Sequence, residues 1–249
     1  MAQVSVENVS KTYVTDGRSV DALQDVSLKM KDGEFVCVVG HSGCGKTTLL
    51  NILAGFLEPT SGQIRIDDVS RKKSKTSIGV VFQEYALFPW RTALQNVAFG
   101  LEMAGKKRAE ARERATHFLE LVHLEDFGNA YPHQLSGGMR QRVAVARALA
   151  YEPGLLLMDE PFGALDAQTR ERLQSLTQEI WVATNKTVFY VTHNISEAVF
   201  LGERVVIMRP RPGRIHDIAD IDLPRPRDPL SDDFIKIQRH ITREIRDEG

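Results

Sequence analysis

Hydrophobic and polar positions change rhythm several times along this 249-residue chain. From residue 3 to 35 apolar and polar residues alternate with the period of half-buried strands, and Asp16-Gly17 interrupts them with a hairpin signal. A small antiparallel sheet is expected there, with Gly62-Gln63-Ile64-Arg65-Ile66 as a further strand. By contrast, Glu34-Phe35-Val36-Cys37-Val38-Val39 is a β-rich apolar run, and strand signals recur at Ile78 to Phe82, Leu155 to Met158, Thr187 to Thr192 and Arg204 to Met208. Helical stretches fall at 46–56, 167–184 and 195–201, and strands alternating with helices predict a parallel sheet. Residues 93–150 carry helical patterns and no strand, with one helix from Lys106 to Val122 and another from Gly137 to Ala150. That block reads as a helical insertion. Near the end, Pro224-Arg225-Pro226-Arg227-Asp228-Pro229 predicts extended chain. It leads into a final helix whose Phe234, Ile237, Ile241 and Ile245 form one stripe that packs on the body of the protein.

The length suits one domain with an insertion: a core and β-subdomain over about 1–90 and 152–220, the insertion over about 91–151, and a linker and helix over about 221–249. A formal net charge of −1 gives no global pull toward nucleic acid, and no nucleic-acid partner is expected. No run of 18 apolar residues occurs, and Met1 to Glu7 has neither a basic nor an apolar leader pattern. The chain is therefore expected neither to be secreted nor to span a membrane by itself. Two cysteines make no disulfide framework, and the seven histidines show no metal-ligand spacing.

Two segments carry chemistry. Leu155-Leu156-Leu157-Met158-Asp159-Glu160-Pro161 is an apolar strand ending in two adjacent acids. Gly40-His41-Ser42-Gly43-Cys44-Gly45-Lys46-Thr47 fits the phosphate-loop pattern directly after a strand. Its glycines let backbone N–H groups turn around phosphate oxygens while a helix beginning near Lys46 aims its positive end at the same anion. Lys46 would reach the β- and γ-phosphates, Thr47 would coordinate Mg²⁺, and Thr48 adds a contact to the α-phosphate. Asp159 would hold Mg²⁺ directly or through water, and Glu160 would polarise the attacking water. Cys44, beside Lys46 at a helix start, is expected to have a lowered thiol pKa.

A second anion site is suggested by Leu135-Ser136-Gly137-Gly138-Met139-Arg140-Gln141-Arg142, which sets a hydroxyl and free amides at a helix start. Read alone, it could be only an N-cap with flexible glycines. Beside a phosphate loop, it predicts two copies facing head to tail, each nucleotide held by one chain's Lys46 and the other's Ser136. The arginines at 140, 142 and 147 are expected to form salt bridges within the protein. Gln83 ends a core strand and could touch both Mg²⁺ and the attacking water. His193 ends another strand, where a lone histidine is often structural, and here would orient the water or the γ-phosphate.

These elements in this order resemble the ATP-binding subunit of ATP-binding-cassette (ABC) transporters over essentially the whole chain. The resemblance implies an α/β P-loop NTPase fold with a parallel-sheet core, a small antiparallel β-subdomain and a helical insertion. It implies that Tyr13 stacks on adenine, that Gly40 to Thr48 binds ATP, and that Gln83 is the Q-loop residue. Leu135 to Gln141 becomes the signature, Ala164-Leu165-Asp166 the D-loop and His193 the switch histidine. Thr47 stands where many members carry Ser.

The stretches Val81 to Arg91, Asn96 to Leu101, Phe162 to Asp166 and Asp222 to Asp228 look like bacterial nitrate, sulfonate and taurine import ATPases, a group that also serves bicarbonate and thiamine precursors. Too few residues follow His193 for the regulatory β-barrel of sugar and polyamine importers. The implied partners are a second ATPase subunit, a transmembrane permease and, indirectly, a solute-binding protein. The implied place is the cytoplasmic face of the inner membrane. Phe88, Pro89 and Trp90 could line a groove for the permease or fill the core. The competing class, a soluble cassette ATPase of protein assembly or nucleic-acid maintenance, typically has tandem cassettes, long coiled-coil insertions or strongly basic segments, which this chain lacks.

Overall fold

The computed structural model describes residues 2–15 and 17–246. In chain order the elements begin β1 (Val4–Thr15), β2 (Arg18–Met30), β3 (Phe35–Gly40), α1 (Lys46–Ala54), β4 (Ser61–Ile66), β5 (Val69–Ser70) and β6 (Ile78–Val81). A helical middle follows, α2 (Ala93–Met103), α3 (Arg108–Leu121) and α4 (Gly137–Ala150). The remainder is β7 (Leu155–Asp159), α5 (Ala167–Thr184), β8 (Thr187–Val191), α6 (Ile195–Leu201), β9 (Arg204–Arg209), β10 (Arg214–Asp220) and α7 (Asp232–Arg246). Two compact units result: Met1–Thr76 with Lys186–Gly249, and Ser77–Asn185.

The first unit holds the predicted antiparallel sheet, in the order β2-β1-β4-β5. β1 and β2 are antiparallel down to the pair Thr15↔Arg18; Asp16 of the predicted turn lies outside the described residues. Val4, Val6 and Val9 are all buried because a register shift between Val6 and Val9, with Asn8 at φ 48°, resets the alternation. In the second sheet of this unit β3 lies between β8 and β9 and runs parallel to both, Cys37 facing Tyr190 on one side and Val205 on the other. All six residues of β3 are buried, which is why its sequence shows an apolar run without alternation. β10 pairs antiparallel with β9 and was not expected, because its charged, half-exposed residues give no apolar run to recognise. α7 packs against α6 and β9, burying Phe234 and Ile241 as the stripe predicts.

In the second unit β6 and β7 are parallel, and their register ends on Val81↔Met158. α2, α3 and α4 pack on one another, and α4 also meets β6 and α5. Side chains mark the helix starts: Thr92 forms a capping box with Gln95, Ser136 accepts from Met139 N, and Asp166 accepts from Thr169 N. The arginines of α4 do not behave as expected from their neighbours in sequence. Arg142 donates to the carbonyls of Val122 and His123, and Arg147 to those of Ala86 and Tyr85. Arg140 stands over the Tyr85 ring. These guanidinium groups tie loops to a helix rather than pairing with carboxylates, because the chain that folds over α4 presents main-chain oxygens. Among the described residues no helix is long and apolar enough to cross a membrane.

Candidate functional site

The phosphate loop leaves β3 at Gly40 and enters α1 at Lys46. Gly45, at φ 92°, is the N-cap of α1 and supplies no side chain to cap it. A Cβ at Gly45 would lie 2.5 Å from Leu23 Cδ2 and 2.8 Å from the Ala22 carbonyl, so only glycine fits. The first amides of α1 therefore have no side-chain cap and carry the positive end of the helix dipole, the electrostatics an anion requires. Lys46 is buried, and its ammonium donates to the Gly40 and His41 carbonyls at 2.8 and 3.1 Å. Ser42, Gly43 and Thr47 are exposed, and Thr48 is half-buried. His41 Nε2 lies 3.2 Å from the carbonyl of Ile245; since a carbonyl only accepts, this nitrogen carries the proton.

Cys44 departs from the expectation. Its thiol is buried, and burial pushes its pKa up, outweighing the nearby Lys46 that pulls it down. Its backbone amide remains part of the loop; its sulfur is not an activated nucleophile.

In the same unit His193 follows β8 as an exposed residue between two anchored neighbours. Thr192 donates its hydroxyl to the buried carboxylate of Glu197, and its Oγ1 accepts from Asn194 N at 3.0 Å. Asn194 caps α6 by accepting from Glu197 N at 3.2 Å. Glu197 is a supporting residue that sequence reasoning missed, although Asn194 and Glu197 stand at capping-box spacing. Tyr13, on β1, is 38% exposed beside exposed Val14 and Val20, with Lys11 Nζ 5.4 Å from its ring centroid. The ring is thus partly on the surface, with a cation over one of its faces.

The second unit contributes the acids. Because Val81 pairs with Met158, Gln83 and Glu160 each stand two residues beyond the last paired positions of parallel strands. A Cβ placed on Gly163 would lie 3.7 Å from Glu160 Oε2 and 3.9 Å from Gln83 Nε2, so the two side chains converge beside that glycine. Glu160 sits at φ 42°, a left-handed conformation that costs a residue with a Cβ about 1–2 kcal/mol. The strain falls on the acid that directly follows Asp159, the last residue of β7. Among the described residues no group of three or more His, Cys, Asp or Glu is placed to hold a metal. Thr47 in the first unit carries a hydroxyl, and Gln83 and Asp159 in the second carry an amide and a carboxylate; each is a hard oxygen donor of the type that suits Mg²⁺.

The signature residues divide. Ser136 is exposed and caps α4, while Gly138 would place a Cβ 2.5 Å from Thr169 Cγ2 and Gly137 would place one 3.1 Å from the Tyr85 hydroxyl. Gln141 lies deeper than its neighbours: it is 0% exposed, and neither amide atom is hydrogen-bonded among the described residues. Asp166 is exposed, and the bonds from Thr169 hold its carboxyl below the usual range.

A family profile described as ABC transporter matches residues 23–163. The chain is 50% identical over 246 residues to an uncharacterized ABC transporter ATP-binding protein of Methanocaldococcus jannaschii, covering 99% of this chain and 92% of that one. It is 52% identical to the taurine import ATP-binding protein TauB of Rhizobium johnstonii over 84% of this chain and 80% of the relative. The TauB of Jannaschia sp. is 49% identical over 87% of this chain and 81% of that protein. Among solved structures, a dimeric post-hydrolysis ATP-binding cassette bound to ADP and Pi superimposes with a TM-score of 0.78 at 38% identity, covering 89% of this chain and all of that one.

Proposed function

The chain belongs to the ABC transporter family, and from that premise we propose that it is the ATP-hydrolysing subunit of an importer for a small anion of the taurine and sulfonate kind. What supports the solute class is the identity of 52% and 49% with taurine import subunits over most of the chain. The observation that carries the chemistry is the strained Glu160, converging with Gln83 directly after Asp159.

Tyr13 stacks on the adenine, the amides of Gly40 to Lys46 wrap the phosphates, and Thr48 adds a contact to the α-phosphate. The Lys46 ammonium, with three donors, exchanges the Gly40 and His41 carbonyls for β- and γ-phosphate oxygens. Thr47, Asp159 and Gln83 would hold Mg²⁺, which when bound neutralises charge on the phosphates. Glu160 takes the proton of the attacking water, and Gln83 and His193 orient water and γ-phosphate. Ser136, Gly137 and Gly138 serve the nucleotide of a second copy arranged head to tail, and Asp166 holds the start of α5. Closure of that dimer drives a separate permease, fed by a solute-binding protein, with this subunit peripheral on the cytoplasmic face.

The test pairs a variant with a reconstitution. Glu160→Gln is expected to bind ATP and to hydrolyse it at least about a hundredfold more slowly. Wild-type protein in liposomes with its permease and binding protein is expected to raise its ATPase rate when taurine is supplied. Near-normal single-turnover hydrolysis by Glu160→Gln would overturn the general base, and stimulation by nitrate or bicarbonate in place of taurine would overturn the solute class.

A further inference from the structure

The segment between β10 and α7 reads Ile221-Asp222-Leu223-Pro224-Arg225-Pro226-Arg227-Asp228, and no step of ATP hydrolysis above uses it. Arg227 is nevertheless only 6% exposed. Burial pulls its guanidinium down to about 10, so it is still charged at neutral pH.

Its donors go to main-chain carbonyls. Nη1 reaches Val199 at 2.6 Å, Phe200 at 3.2 Å and Gly202 at 2.5 Å, while Nη2 reaches Ile221 at 3.1 Å and Nε reaches Leu223 at 3.5 Å. Arg225 adds bonds to Phe200 at 3.3 Å and Leu201 at 2.6 Å. Val199, Phe200 and Leu201 close α6, and Gly202 is its C-cap. The final carbonyls of a helix have no partner within it and carry its negative end, so two planar cations form a C-cap on α6 from a distant part of the chain.

α6 has seven residues, too few to hold a helix without outside support. At its other end Glu197 holds both neighbours of His193, its carboxylate accepting from the Thr192 hydroxyl and its backbone N–H donating to Asn194 Oδ1. A single short rod thus joins the arginine clamp to the switch histidine. We propose that Arg225 and Arg227 are positioning residues for ATP hydrolysis, setting through α6 where His193 stands. The proposal rests on the ATPase reading above, and it touches neither the phosphate loop nor Glu160.

The test measures kcat and KM for ATP together with the ring signal of His193 by NMR, assigned by its loss in His193→Ala. Arg225→Lys keeps the charge and loses the fork; Arg225→Gln keeps amide donors and loses the charge. In each variant that folds, kcat is expected to fall roughly tenfold to a hundredfold, as for a misplaced reacting group. KM is expected to change less than twofold, and the His193 ring signal to shift or broaden. On a His193→Ala background the same change is expected to cost less than twofold, since a residue acting through His193 has nothing left to position.

An unchanged kcat and ring signal in folded Arg225→Lys and Arg225→Gln would overturn the proposal. So would a loss of equal size with and without His193, which would mark the clamp as general scaffolding. Failure of the wild-type protein to hydrolyse ATP would sink the ATPase reading instead, and the ring signal would still report whether the clamp sets His193.

Discussion

At the scale of single residues, opposing influences meet and magnitude decides between them. Cys44 has Lys46 and a helix start on one side and full burial on the other, and burial wins. Its thiolate fraction at neutral pH is therefore below that of a free peptide thiol. Maleimide labelling followed by mass spectrometry is expected to run at least about tenfold slower at Cys44 than at an exposed thiol, and to go on rising with pH above about 8.5, where an exposed thiol levels off. Labelling as fast as a peptide control would show that Lys46 prevails. Glu160 balances strain against chemistry. Replacing it by glycine removes the penalty of φ 42°, so Glu160→Gly is expected to gain about 1 kcal/mol of stability while losing hydrolysis. Denaturant unfolding beside an ATPase assay reads both, and a destabilised Glu160→Gly would show that the side chain packs more than it strains.

Elements in this protein are held at their ends. α2, α4, α5 and α6 each begin at a side chain that accepts from the first turn, and α6 finishes on two arginines. α7 has a different anchor, the buried Phe234 and Ile241, with His41 and Arg209 bonded to the carbonyls of its last turn. Phe234→Ala removes a fully buried ring and is expected to cost about 3–5 kcal/mol, a fall in Tm of roughly 6–20 °C for a chain of this size. A shift below about 2 °C would mean that α7 detaches without consequence.

At the scale of the whole molecule, the outward-facing surface decides partners. Trp90 is 72% exposed on a loop fastened by buried Asn96, which accepts from Phe88 N and donates to the carbonyls of Phe88, Arg91 and Thr92. Phe88 is half-buried, its ring centroid 5.6 Å from that of Trp90 and 4.6 Å from that of Phe99. The two aromatics therefore have separate duties. Trp90→Ala is expected to leave Tm within about 2 °C and to weaken co-purification with the permease, because an exposed aromatic on a rigid loop is a ready interface anchor. Phe88→Ala is expected to lower Tm. Normal assembly by Trp90→Ala would remove this side chain from the permease contact.

Much of this architecture is legible in the sequence because it is written between near neighbours. The apolar run of β3, the boundaries of α4, α5 and α6, the cap at Ser136, and the order of the phosphate-directed motifs all depend on residues within a few positions of one another. Periodicity, capping and glycine geometry act at that range. Burial does not, since it is decided by chain that arrives from far along the sequence. Tertiary structure alone therefore decided that Cys44 is an inert thiol, that Gln141 is enclosed, and that Arg142 and Arg147 bind carbonyls rather than acids. It decided too that charged β10 extends the sheet beside β9. The proline-arginine tail reads in sequence only as extended chain; folding brings Arg225 and Arg227 to the end of a helix more than twenty residues away, where three carbonyls had no partner of their own.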